Sequence, residues 1–203
     1  MTADFNNILP TGVDIQRIQF VSNQPTVTTR SLSGRTQVRS FGGQVWTASI
    51  TMPMMRDSDL KKIYGFLVKQ RGALDTFTIS PFPTLQMGGN ASATEDISAT
   101  STTAQKAIGS TSIEITNPDV FKAGDMIKFS TSGHTKAYMI TQDQNSDNTI
   151  NFEPGLVQAI ADTDNVLSGS NFELTVRLAG DEFVYEIDET GYGTIEFDVV
   201  EVV

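Results

Sequence analysis

The run from Gly34 to Pro83, GRTQVRSFGGQVWTASITMPMMRDSDLKKIYGFLVKQRGALDTFTISPFP, constrains the fold more than any other part of the chain. Trp46, Ala48, Ile50 and Met52 alternate with Thr47, Ser49 and Thr51. That period of two is the signature of a strand with one buried and one solvated face. Pro53 has no N–H to give to a ladder and closes it. Leu60, Ile63, Tyr64 and Leu67 then recur at i, i+3, i+4 and i+7, which predicts an amphipathic helix over residues 57–71. Asp57 or Ser58 is placed to cap it, and Asp57 and Asp59 suit the positive end of its dipole. Lys69 and Arg71 fall in the last turn, with Gly72 as a left-handed terminator. Phe77 and Ile79 begin a second strand, which Ser80-Pro81-Phe82-Pro83 breaks. A strand, a helix and a strand in this order form a scaffold and bring no catalytic residue with them.

Similar patterning extends along the chain. Residues 15–20 alternate as an early strand, although either face could turn inward. Thr26–Thr29 reads as a short strand and Ser31–Arg35 as an exposed hairpin tip. Residues 86–104 are rich in Gly, Ala, Ser and Thr and are expected to be a linker or mobile loop. From there to residue 167, short apolar stretches (Ile113–Ile115, Met126–Phe129, Ala137–Ile140, Ile150–Phe152) recur at roughly ten-residue spacing, as in a small all-β barrel or sandwich. Three more strands are expected around Phe172–Leu178, Val184–Ile187 and Ile195–Val199. The expected fold is therefore mainly β. It is an antiparallel β-sandwich or barrel with one packed α-helix (57–71) and an inserted small all-β domain. In this layout residues 1–85 plus 168–203 form one discontinuous domain, 86–104 link, and 105–167 are the insertion. A linear two-domain layout is the alternative.

Composition fits a folded chain of 203 residues, with 38% hydrophobic and 19% charged positions. The absence of cysteine removes disulfides and thiolate metal sites. The opening MTADFNNILP lacks a positive start and apolar run, and no stretch nears the ~18 apolar residues of a membrane span. Synthesis in the cytoplasm and no membrane partner are the expectation. Net charge is −10 and unevenly spread: residues 1–80 carry nine Lys or Arg against five acids, while the last 23 residues hold eight acids and no base. The two halves can balance within one shared sheet, or the basic surface of one copy can meet the acidic surface of another. Specific nucleic-acid binding is disfavoured, because the bases are dispersed and not interleaved with aromatic residues.

Candidate chemistry is sparse. His134 is the sole histidine and reads as a polar turn residue. Asp143, Asn145, Asp147 and Thr149 imitate half a calcium loop, but Asn148 stands where that loop needs Gly and Pro154 where it needs Glu. The acidic pairs Asp181-Glu182 and Asp188-Glu189 fall in presumed turns. No nucleophile elbow, zinc-binding helix motif or phosphate-cradling loop occurs. Not an enzyme, no cofactor and no metal site is the expectation.

The Gly34–Pro83 run resembles the core of the distal tail protein family of long-tailed bacteriophages and, more loosely, lambda-type minor tail protein M. The shared pattern is an aromatic-bearing strand (Trp46), a helix ending in Phe66-Leu67 with Gly72 beyond it, and an aromatic strand closed by proline (Phe77–Pro83). The ending FELTVRLAGDEFVYEIDETGYGTIEFDVVEVV resembles the close of the same β-sandwich. The resemblance implies a structural virion protein at the phage tail tip. It would form a homo-oligomeric ring, commonly hexameric, joining tail tube protein to the tail-tip hub or baseplate, with DNA free to pass through the lumen. Subunit contacts would involve the helix, the loop 30–44 and the acidic C-terminal strands, through Arg35, Arg39, Lys61, Lys62, Glu196, Asp198 and Glu201. Many such proteins append a C-terminal galectin-like domain, whereas this chain carries an internal insertion. The alternatives are a carbohydrate- or receptor-binding module of the tail tip, for which only Phe121, Phe129, Tyr138 and Phe152 of the insertion are available as aromatic platforms and most of them read as core, and a tail tube or terminator ring protein.

Overall fold

A computed structural model describes residues 15–40, 42–80, 100–101, 106–115, 121–144, 149–161 and 164–203. The chain runs through β1 (Arg17–Asn23), β2 (Thr26–Arg30), β3 (Thr36–Ser40), β4 (Val45–Thr51), the two-residue β5 (Met55–Arg56), helix α1 (Asp57–Lys69) and β6 (Phe77–Ile79). There follow β7 (Thr100–Ser101), β8 (Ser112–Glu114), β9 (Met126–Phe129), β10 (Tyr138–Ile140), β11 (Thr149–Glu153) and β12 (Asn165–Leu167). Past a short 3-10 turn at Gly169–Asn171 come β13 (Leu174–Leu178), β14 (Tyr192–Gly193) and β15 (Glu196–Glu201). The protein is mainly β with antiparallel sheets and one α-helix, and its described strands do not close into a barrel.

One sheet draws on both ends of the chain, in the order β1-β4-β15-β13-β6. Its inner face follows the alternation seen in the sequence: Ile50 lies opposite Ile18 and Phe197, and Ala48 opposite Phe20 and Val199. The ambiguous first strand thus turns Ile18 and Phe20 inward. Helix α1 covers part of this face with Leu60, Ile63, Phe66 and Leu67, all buried, and Phe66 meets Phe77 edge-on at 5.3 Å. Burial of each such side chain contributes about 1.5–3 kcal/mol.

The helix differs from expectation at both ends. Arg56 occupies the N-cap and makes no side-chain cap bond. Asp57 is already helical, its carboxylate accepting from Lys61 and from the Tyr185 hydroxyl instead. The helix stops at Lys69, and both Arg71 (φ 54°) and Gly72 (φ 66°) turn left-handed. A Cβ on Gly72 would stand 2.4 Å from Asp181 Oδ1, so a close approach adds to the backbone requirement for glycine.

A second sheet, in the order β7-β12-β9-β10-β11-β8, is built from residues 100–167 around its own core of Ile113, Phe121, Phe129, Phe152 and neighbours. The expected linker 86–104 lies outside the described residues except for Thr100–Ser101, which pair with β12. The β9–β10 hairpin belongs to both cores. Ile127, Phe129, Tyr138 and Ile140 face the second core, while Met126, Ala137 and Met139 pack into the first.

At that junction sits a fully buried ion pair between Lys136 and Glu201. Lys136 Nζ also donates to Gln44 Oε1 at 2.7 Å, and Gln44 Nε2 donates to Ser22 Oγ at 2.9 Å. Glu201 accepts from the backbone N–H of Ala137 (2.6 Å) and of Trp46 (3.1 Å), and Trp46 Nε1 donates to the Ala137 carbonyl at 3.0 Å. Burial lowers the Lys136 pKa, and Glu201 opposes that shift. The network fixes how the residue 100–167 unit seats on the first sheet. Glu201 was expected at a subunit interface; it is instead sealed inside the chain, because it shares the inward parity of Phe197 and Val199.

Candidate interaction surface

Strands β2 and β3 form a two-stranded ribbon that joins neither large sheet, and all ten of their residues are exposed. Asn23 pairs with Val45 and Thr26 with Ser40, so the ribbon prolongs the β1–β4 hairpin beyond the sheet that roots it. Five residues per strand give an arm of about 17 Å, plus its turn. The turn is closed by Ser31 N–H to the Arg35 carbonyl (2.9 Å) and Gly34 N–H to the Ser31 carbonyl (2.9 Å). At the root, Gly42 and Gly43 are both left-handed (φ 71° and 69°), opposite Pro25. Registry sets Val27, Thr29, Gln37 and Arg39 on one face and Thr28, Arg30, Thr36 and Val38 on the other, so neither face is an apolar stripe. Leu32 stands fully exposed at the tip. A two-stranded ribbon without a hydrophobic face is marginal in water.

A second feature is the strap over helix α1. Residues 184–187, expected as a strand, enter no sheet. Burial alternates along the segment from Glu182 to Asp188, with Phe183, Tyr185 and Ile187 half-buried and Glu182, Val184, Glu186 and Asp188 exposed. Tyr64 holds its inner side, with ring centroids 5.3 Å from Phe183 and 4.9 Å from Tyr185. Hydrogen bonding to Asp57 pushes the Tyr185 hydroxyl up to about 12. Among the described residues, no backbone group from Glu182 to Ile187 is hydrogen-bonded within the chain. A cleft of about 270 Å³ opens at the head of the strap, with Glu182, Glu196 and Asp198 among its lining.

The expected interface residues thus separate. Arg35 and Arg39 are on the exposed arm, and Glu196 and Asp198 on the outer face of β15, where Asp198 accepts from Ser49 Oγ. Lys61 and Lys62 are already engaged within helix α1, with Asp57 (2.5 Å) and Asp59 (3.0 Å). Among the described residues, no ion pair joins a base of residues 15–80 to an acid of residues 181–201. The strap at residues 184–187, expected in a sheet, lies instead against Tyr64 of helix α1.

His134 closes the expected turn, its N–H donating to the Thr131 carbonyl at 3.0 Å, but its side chain does not face solvent. It is buried, its Nε2 lies 2.7 Å from the Tyr138 hydroxyl, and desolvation lowers its pKa. Phe121, Phe129, Tyr138 and Phe152, most of which the sequence reads as core, are all buried in the second core. In the imitated calcium loop, residues 145–148 lie outside the described residues, and Asp143 Oδ1 accepts from Ala123 N–H at 2.9 Å. Among the described residues no cluster of three or more His, Asp or Glu is placed to hold a metal, and no helix is long and apolar enough to cross a membrane. Neither a scan against protein-family models nor a search of curated proteins finds a match to this chain.

Proposed function

We propose that this chain is a structural protein of a bacteriophage tail. In this reading copies form a ring, about six in number, at the distal end of the tail tube, between the tube and the tail-tip hub or baseplate. The observation that carries the reading is the exposed basic arm, a ribbon that joins no larger sheet among the described residues. Head-to-tail contacts through such an arm close into a ring when the rotation between neighbours permits. Opposite charge on arm and receiving surface fixes the register and makes assembly salt-dependent. The resemblance of the Gly34–Pro83 run supplies the placement in the tail.

The test is absolute mass by light scattering after gel filtration, at low and moderate salt. A species of about six copies at low salt, which dissociates as salt rises, supports the proposal. Arg35→Glu with Arg39→Glu should shift it toward monomer. A monomer at every concentration and salt would overturn it.

A further inference from the structure

We infer that the strap Glu182–Asp188 of one copy receives the β2–β3 arm of a second copy, edge to edge, as an added strand; this rests on the ring reading above. Three observations converge on the pairing. The strap has a strand's alternation and is held on its inner side by Tyr64, and the Glu186 carbonyl packs against Gly193, yet among the described residues no backbone group from Glu182 to Ile187 is hydrogen-bonded within the chain. Such an edge is a template for strand addition. The arm is the complementary element: a two-stranded ribbon has two outer edges, and neither is paired into a larger sheet.

Charge selects the occupant. Residues 26–40 hold three arginines and no acid, while residues 181–189 hold five acids and no base. An arm of the same chain therefore matches the strap it would meet on a neighbour. Val38 on the arm and Val184 on the strap, 65% and 72% exposed, give each element an outward apolar side chain to place against the other. Arg30 shares the ribbon face of Val38, as Glu182 and Glu186 share that of Val184; a one-residue slip of the added strand would turn Val38 and Arg30 to the opposite face, so side-chain pairing fixes the register.

The chain has no cysteine, which makes a direct test clean. Val38→Cys and Val184→Cys are placed in separate copies, mixed at low salt and mildly oxidised. The mixed V38C–V184C dimer should exceed either homodimer at least tenfold, and should fall away at high salt. Ile108→Cys, at an exposed site in the residue 100–167 unit, replaces Val184→Cys as the control and should give no such excess. A mixed dimer no more abundant than the homodimers overturns the pairing. Native mass separates this from the ring reading. A ring without the cross-link removes the arm–strap contact alone, and the cross-link without a closed species keeps the contact and removes the ring.

Discussion

Glu201→Leu is the sharpest probe of the junction between the two cores. It leaves the Lys136 ammonium, 0% exposed, without its carboxylate, and strips the backbone N–H groups of Trp46 and Ala137 of their acceptor. Breaking a buried ion pair on one side costs about 3–5 kcal/mol. The two orphaned N–H groups put this case at the upper end, since each unsatisfied donor carries a penalty of ~1–3 kcal/mol. Removing both charges, in Lys136→Met with Glu201→Leu, leaves the two N–H groups and Gln44 Oε1 unpaired but no uncompensated charge, so the double variant should be more stable than the sum of the singles by several kcal/mol. The assay is urea unfolding followed by far-UV circular dichroism and by fluorescence. Trp46 is the single tryptophan and lies within the network, so its emission reports the junction itself. Glu201→Leu should lower stability by about 4–5 kcal/mol and shift Trp46 emission to the red. A loss under ~1 kcal/mol, or a double variant as unstable as the singles summed, would refute the account of a paired, desolvated clamp.

Three further outcomes follow from named contacts. Asp125 is buried and one carboxylate oxygen, Oδ1, has no partner; desolvation raises its pKa to about 6. The folded state then binds the proton more tightly than the unfolded one, so stability falls as pH rises from about 4 through 6. Asp125→Asn should therefore gain about 3 kcal/mol at pH 8 and about half that at pH 5, by urea midpoints; an equal change at both would refute it. Gly193→Ala would set a Cβ 2.0 Å from the Glu186 carbonyl oxygen and 3.1 Å from Leu60, costing about 1–3 kcal/mol in the same assay or lifting the strap off helix α1. Gly42→Ala with Gly43→Ala meets no steric clash, but both positions are left-handed. It should bias the arm's joint by about 1–2 kcal/mol per residue, leave the core's urea midpoint unchanged and weaken assembly about tenfold by light scattering.

Parts of this architecture were legible because a single physical cause produced the pattern. The alternation of Trp46, Ala48 and Ile50 is the imprint of one buried face, and the spacing of Leu60, Ile63 and Leu67 that of one buried stripe. The segment 184–187 shows where such reading fails. Its period of two is genuine, but it records packing of Phe183 and Tyr185 against Tyr64, not a hydrogen-bonded ladder. Periodicity reports which side chains are buried and is silent on the backbone's partner. Glu201 failed for another reason. Charge argued for the surface while parity with Phe197 and Val199 argued for the interior, and parity was the better guide. Its partner Lys136 lies 65 residues away, and only the docking of the two cores brings them together. The arm was legible as a hairpin around the Ser31–Arg35 tip, but the exposure of both its faces was not, since Thr-rich strands look alike whether covered or free.

In the sheet order β1-β4-β15-β13-β6, the last described strand in the chain occupies the centre. On a ribosome, β4 and β6 therefore emerge as separated flanks with a gap between them, and helix α1 has no completed surface to rest on until residues 174–201 arrive. The residue 100–167 unit, with its own core, can fold in the interval, but the Lys136 ammonium waits for Glu201. Closure is thus a late, long-range event, slow by its loop entropy and cooperative once it begins. A nascent chain short of its central strand would expose Ile50, Phe77 and Phe66 together, a surface that chaperones bind until the sheet is complete.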